Sequence, residues 1–336
     1  MTKTNSSIYF GKRILVSGGT GMIGIPLVRA LLALGAQVTV VSLEQESYAR
    51  ALLGSSIAFF RGDLTCNNTC KKAVEGQEYV FNLVGIKGSV GIGVKRAASY
   101  FVPMLRYQSN LLEAAYREGV SRYLFVSSIC AYPPAALHLE DNVWNGLPKQ
   151  NDRYAGIAKR IGELEAETYL HEYNWDAVRV VRPSNVYGPF DDFNPATGQV
   201  IPALIRRVLD GECPVRIWGD GSVIRDFIFV QDVVDGLLLA MEQAPPCFPI
   251  NLGSGVPTTI RQLAEIIVTE CGASSAIEWD PSKPAGDPVR LLSMERAEAT
   301  IGFFPKTPLQ EGIRQTIHWY IQNRELAHER KNLLSA

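Results

Sequence analysis

The sequence has almost no net charge: 33 Lys and Arg against 34 Asp and Glu leave −1 at pH 7. Without an excess of either sign there is no footprint for nucleic acid or an anionic membrane. Local basic pairs such as Arg206-Arg207 are too short to make one. Histidine is scarce, with four residues at 138, 171, 318 and 328. No apolar run approaches the roughly 18 residues of a membrane span. The start, MTKTNSSIYFGKR, lacks the apolar segment of a secretory leader. Six cysteines are far too few for a disulfide scaffold in a chain of this length. Cys66 and Cys70 form the one close pair, and no second Cys or His pair follows at metal-binding spacing. The expectation is a soluble cytoplasmic protein with reduced thiols, no metal, and neither nucleic acid nor membrane as partner.

What is present is an ordinary globular balance, 46% hydrophobic and 20% charged over 336 residues. That length suggests about two domains at roughly 150 residues each. Strand-like runs occur at Arg13–Ser17, Gln37–Ser42, Ile57–Phe60, Tyr79–Val84 and Tyr123–Ser127. Between them, helical apolar spacing marks Gly24–Leu34 and about 66–75 and 101–118. This alternation predicts an α/β protein with a doubly wound parallel sheet of Rossmann type. After Arg182, prolines at 183, 189, 195 and 202 break the pattern, with helices expected at Ala203–Asp210 and Val233–Gln243 and a strand at Asp226–Val230. We therefore expect a dinucleotide-binding domain over 8–183, rejoined by 226–250. A smaller α+β substrate-binding domain is expected over 184–225 and 251–330. The cleft between them is the default ligand site.

Gly18, Gly21 and Gly24, with Thr20, Met22 and Ile23 between, follow the first strand and open the first helix. Glycines there allow a tight turn and close approach of a pyrophosphate to a helix N-terminus. A glycine-rich turn without ligand is the bland alternative, but the strand–turn–helix context is the one required. The second strand ends in Ser42, where an acid would hold the ribose hydroxyls, and no Lys or Arg follows before Arg50. NAD and NADP both remain open, with NAD preferred for want of a cation. Asp63 and Leu64, after the third strand, are candidates for the adenine end; a helix N-cap is the structural alternative for Asp63.

Ser128 ends a later strand, with Cys130 and Tyr132 after it, and Tyr154 and Lys159 open the following helical segment. Further on stand Arg182-Pro183-Ser184-Asn185-Val186-Tyr187-Gly188-Pro189 and Gly219-Asp220-Gly221 leading to Arg225-Asp226-Phe227. Together with the glycine turn, these motifs from Lys12 to Asn323 resemble the extended short-chain dehydrogenases/reductases of the NAD-dependent epimerase/dehydratase family. VYGPFDDFNP, VIPALIRR and SKPAGDPVRLL are most similar to the GDP-L-fucose synthase branch.

The resemblance implies a nucleotide-diphosphate sugar as substrate and hydride exchange at its C4. Tyr154 would be the acid/base, Ser128 would hold the sugar oxygen, and Lys159 would lower the tyrosine pKa and bind the nicotinamide ribose. It implies a thiol of lowered pKa at Cys130, moving protons at C3 or C5; a small residue packed under the sheet edge is the alternative. Substrate ligands would be Asn185, Gln199, Arg207, Trp218, Arg225 and Arg290, with Lys283 in reach. Arginine's planar fork suits a diphosphate. A dimer-forming four-helix bundle from 101–118 and 153–173 is implied as well. Dehydration and decarboxylation are disfavoured, because Ile129-Cys130 stand where those activities need an acid.

Two positions depart from the family pattern. Gln199 replaces a histidine and cannot deliver a proton. Tyr154 and Lys159 are five apart instead of four, which on a regular helix turns them about 140° from each other, against about 40°. A one-residue π-bulge near Gly156, or a helix beginning after Tyr154, would restore the alignment. If neither occurs, a dinucleotide-binding sensor or scaffold without turnover becomes the rival to an epimerase or reductase.

Overall fold

The structure, a computed structural model, describes residues 7–85, 96–283 and 286–329. Seven strands form the main sheet: β1 (Arg13–Ser17), β2 (Gln37–Ser42), β3 (Ala58–Arg61), β4 (Tyr79–Asn82), β5 (Arg122–Val126), β7 (Val178–Pro183) and β12 (Ile250–Leu252). Every neighbouring pair is parallel, and the order is β12-β7-β5-β4-β1-β2-β3. The order reverses between β1 and β4, so a crevice opens at their carboxyl ends, where such sheets bind ligands.

The sheet is buried on both faces because its strands carry apolar residues at both parities. Ile14 and Val16 of β1, with Leu124 and Val126 of β5, join one core. Leu15, Tyr123 and Phe125 join the other, as the two-residue period of a strand requires. The first core is covered by α1 (Gly24–Ala33) and α7 (Val230–Gln243), the second by α3 (Asn67–Val74), α4 (Ala97–Glu118) and α5 (Arg153–Tyr173). Helix α2 (Glu46–Leu53) joins β2 to β3.

The remaining strands make three small sheets. β6 (Leu137–His138), β10 (Ile224–Arg225), β13 (Thr258–Thr259) and β15 (Val289–Leu292) form one. β8 (Asn185–Tyr187) pairs with β11 (Phe227–Phe229), and β9 (Val215–Trp218) with β14 (Ile277–Asp280). A third core gathers around α6 (Val200–Leu209), α8 (Ile260–Glu270) and α10 (Leu309–Gln322). Two short helices, α9 (Glu295–Ile301) and α11 (Arg324–Glu329), complete the described chain.

Several boundaries differ from the sequence reading. Helix α6 begins three residues early, because Pro202 falls in its first turn, where the missing N–H costs nothing. Helix α4 begins at Ala97 and runs through Pro103. Helix α2 was not expected; only Ala49, Leu52 and Leu53 of its eight residues are buried, so its periodic signal is weak.

Candidate active site

The glycine turn is packed to its limit. A Cβ on Gly24 would lie 2.2 Å from the Gly18 carbonyl oxygen, and one on Gly19 2.8 Å from the Val40 side chain. Gly18 has φ +72° and lies against the backbone of Leu83 and Val84 at the end of β4. No side chain caps the N-terminus of α1 at Ile23. The residues present thus fit a dinucleotide: the backbone makes a cradle that any larger residue would fill, at a helix end whose dipole favours phosphate. Beside it, Ser42 Oγ is 2.9 Å from Thr20 Oγ1 and accepts from the Glu44 amide. Opposite Ser42 in the ladder stands Arg61, whose Nε donates to the Leu43 carbonyl. This cation beside Ser42 lies across a strand pairing, so reading forward from Ser42 missed it. Asp63 accepts from the Thr65 amide within its own turn, and the N-cap of α3 is Cys66, so Asp63 is not that helix's cap. Leu64 is buried beneath α3.

At the end of β5 the chain tightens into a single 3-10 turn, Ile129–Ala131. Ser128 Oγ accepts from the Cys130 amide at 3.1 Å. Helix α5 presses against this turn: a Cβ on Gly156 would sit 2.1 Å from the Cys130 carbonyl oxygen. Lys159, three residues on, donates from Nζ to the Val126 carbonyl at 2.8 Å and stands over the Phe125 ring. Its burial pulls the ammonium pKa down to about 8, a fall that Glu163 and Cys130 partly offset.

Helix α5 is regular from Arg153 onward, with neither a π-bulge nor a late start. Neither device that would align Tyr154 with Lys159 is present. At about 100° per residue, Tyr154, Ile161 and Leu164 share an outer stripe, and their exposures are 38%, 36% and 47%. The Tyr154 ring packs edge-on against Phe101 of α4. Asp152, by contrast, lies two helical turns before Lys159 and on its face. Although it stands at the N-cap position, its side chain makes no cap bond; it forms an ion pair with Arg290 Nη1 at 2.8 Å instead.

The second Arg290 nitrogen donates to the Ile129 carbonyl at 2.9 Å. Arg225 donates to the carbonyls of Ile224 and Asp287, and the Asp287 carboxylate pairs with Lys149 at 2.9 Å. Burial, with Asp152 second, pushes the Cys130 thiol up despite opposing help from Arg290 and Ser128. This corrects the expectation of a lowered pKa. Burial also raises the Tyr100 phenol of α4, with added contributions from Cys130 and Asp152. Tyr100, Asp152 and Lys149 were absent from the sequence reading, and Asp287 stood in it only as part of SKPAGDPVRLL. For Asp152 a signal existed, since its seven-residue spacing from Lys159 is two turns.

The other expected ligands are more dispersed. Asn185 donates from Nδ2 to the Asp226 carbonyl at 2.8 Å. Gln199 is exposed at the start of α6 and makes no cap bond. Arg207 is engaged by Glu212 and the Arg216 carbonyl. Trp218 is 62% exposed at the end of β9. Tyr132, behind the turn, joins a buried network in which its hydroxyl donates to Asn251 and Arg182 pairs with Glu163. Among the described residues, no group of three or more His, Cys, Asp or Glu is arranged to hold a metal, and no helix is long and apolar enough to cross a membrane.

A parallel sheet with a glycine-lined helix end at its switch point, and a serine and a buried lysine at the next strand end, defines a nicotinamide-dinucleotide fold. The model of the NAD dependent epimerase/dehydratase family matches residues 14–253, and the chain belongs to that family. It is 31% identical over 320 residues to the putative GDP-L-fucose synthase 2 of Arabidopsis thaliana, covering 93% of this chain and 92% of that protein. It is 31% identical over 320 residues to the dTDP-4-dehydro-6-deoxy-D-allose reductase of Streptomyces bikiniensis, covering 92% and 96%. Among solved structures, the UDP-glucose 4-epimerase of Thermotoga maritima with UDP-glucose superposes with a TM-score of 0.81 at 29% identity, covering 93% of this chain and 99% of that one.

Proposed function

We propose that this protein is an NAD(P)-dependent nucleotide-sugar epimerase or reductase that exchanges hydride with the sugar at C4. The observation that carries the reading is the convergence of the Gly18–Gly24 cradle, the Ser128 hydroxyl and the buried Lys159 ammonium at the carboxyl edge of one parallel sheet. The dinucleotide, when bound, supplies or accepts the hydride. Gly18 to Gly24, with Thr20, Met22 and Ile23, receive its pyrophosphate, and Lys159 holds the nicotinamide ribose. Ser128 orients the sugar oxygen. The outward stripe of α5 takes Tyr154 away from this oxygen, so proton exchange falls to acids on the Lys159 face. Segments 184–225 and 251–330 hold the nucleotide sugar, with Arg225 at the diphosphate and Asn185 at the sugar.

Arg61 beside Ser42, with Ser42 in place of an acid, shifts the cofactor preference from NAD to NADP, because a guanidinium suits a 2′-phosphate. Tighter NADPH than NADH binding, lost in Arg61→Gln, is the expected outcome; equal binding in the wild type would return the preference to NAD. Exposed Ile161 and Leu164 on α5, beside Val102 of α4, support a homodimer across this face. Light scattering that gives a monomer mass would remove it.

The test of function is incubation with UDP-, GDP-, CDP- and dTDP-sugars, including 4-keto forms, with each dinucleotide. Product stereochemistry is read by NMR and cofactor consumption by absorbance. One sugar class is expected to turn over, cofactor loss marking a reductase and its absence an epimerase. The position of Tyr154 favours the rival reading, a dinucleotide sensor, which would bind cofactor and convert none of the panel.

A further inference from the structure

A cavity of about 620 Å³ lies outside the cleft, between helices α1 and α2, the turn after β8, and helix α10. None of the glycine turn, Ser128, Lys159, Arg225 or Arg290 lines it. Its size falls within the roughly 300–1,000 Å³ of small-molecule sites. Leu52 and Phe229 form a buried apolar part of its lining. Phe190 and Trp319 make an aromatic wall, their ring centres 4.7 Å apart. Trp319 also stacks on Phe193 at 5.9 Å, which fixes its ring. Phe190 is held at φ +66°, in the left-handed region that phenylalanine seldom adopts. Residues in such conformations cluster at ligand sites.

The polar part of the lining is cationic and amide in character. Arg29 of α1 is exposed, stands 5.3 Å over the Phe190 ring, and donates from Nη2 to the Leu52 carbonyl at 2.8 Å. Among the described residues it has no acidic partner. Gln231 and Gln315 also line the cavity, and each donates from Nε2 to a carboxylate one turn away on its own helix, Asp235 and Glu311. Those carboxylates are already neutralised, Asp235 by Lys306 at 3.1 Å and Glu311 by Arg314 at 2.6 Å. The Oε1 of each glutamine has no hydrogen-bond partner among the described residues.

We propose that this cavity is a second ligand site, one that takes an amino-purine nucleoside monophosphate. An aromatic wall, an unpaired guanidinium and two amide oxygens lacking donors call for a flat ring that carries both an anion and an N–H group. The purine lies against Phe190 and Trp319, since every base has a π face to stack. Its exocyclic amine donates to the glutamine oxygens. Arg29 grips the phosphate through the N–H groups that Leu52 does not use, and one guanidinium fork matches one phosphate group. No bond is made or broken there. The occupant bridges α1, which opens in the glycine turn, and the turn that follows Asn185–Tyr187. The proposal goes beyond hydride exchange at C4 and does not rest on it.

The test is photolabelling of the full chain with 8-azidoadenosine 5′-monophosphate at saturating NADPH, with the labelled peptides identified by mass spectrometry. Calorimetric titration with AMP, GMP, IMP and adenosine accompanies it. Label is expected on residues 189–190 or 309–323, and unlabelled AMP should displace it. AMP or GMP should bind at least about tenfold more tightly than IMP, which lacks the amine, and than adenosine, which lacks the phosphate. Arg29→Gln should weaken that binding at least about tenfold and keep its thermal transition, because the residue is exposed. Label confined to the glycine turn or the cleft, IMP or adenosine binding as tightly as AMP, no binding of AMP or GMP, or a smaller loss in Arg29→Gln would each overturn the assignment. If Arg29→Gln fails to fold, the position of the label on the wild type decides. Failure of NADPH to bind would count against the cofactor reading, while the labelled peptide still decides whether this cavity is a site.

Discussion

Lys159→Met gives the sharpest energetic expectation. In the native state the Lys159 ammonium is buried and its pKa is about 8, against an ordinary value of 10.5. The unfolded chain therefore binds more protons between about pH 8 and 10.5, and wild-type stability rises with pH across that window. Below pH 8 the full burial cost is present, about 3 kcal/mol from a shift of about 2.5 units at 1.36 kcal/mol each. Between pH 7 and 9.5 about 2 kcal/mol of it is relieved. Methionine has no such term. Loss of the charged hydrogen bond to Val126, worth about 1.5–3 kcal/mol, roughly cancels the gain at pH 7, so the pH dependence carries the test. Urea unfolding of both proteins at pH 7 and 9.5 should show the wild type gaining about 2 kcal/mol relative to the variant. A gap that stays constant, or moves the other way, would refute a buried charged lysine. Turnover should be abolished in the variant at both pH values.

Four further outcomes are expected. Gly24→Ala forces the turn apart, because its Cβ would meet the Gly18 carbonyl at 2.2 Å; NAD(P)H binding by fluorescence should weaken at least about tenfold, with a stability cost of about 1–3 kcal/mol. Glu163→Gln strips the carboxylate from Arg182, whose side chain is 1% exposed, and should cost about 3–5 kcal/mol in urea unfolding. Tyr154→Phe should retain more than about a tenth of wild-type turnover, since proton transfer by a positioned acid is worth about 100-fold or more when the group is the one used; a greater loss would return Tyr154 to the reaction. Gln199→His should shift the thermal transition by less than about 0.5 kcal/mol equivalent, as an exposed position without a cap bond allows.

The parallel sheet was legible because strands buried on both faces are short apolar runs closed by glycine, as at Arg13–Ser17 and Gln37–Ser42, both found at the residues expected. Gly18 to Gly24 was legible for a related reason: the close approaches that only glycine permits leave their mark in residue type. Tyr154 was harder, because a motif fixes residue identity while helix phase fixes direction, and one residue turns a side chain by about 100°. Arg61 and Asp152 lay outside local reading altogether. The first meets Ser42 through strand register, and the second meets Arg290 across 138 positions of sequence. The raised Cys130 pKa has the same origin, since burial comes from elements that no local pattern displays.

The account stands on a nicotinamide ring lying beside Ser128 with its ribose held by Lys159. A crystal structure of the protein with NADP or NAD measures this directly. The pyrophosphate is predicted at the Gly18–Gly24 turn, and the nicotinamide ribose within hydrogen-bonding reach of Lys159 Nζ. A turn left empty at saturating dinucleotide, or a ribose seated away from Lys159, would contradict it.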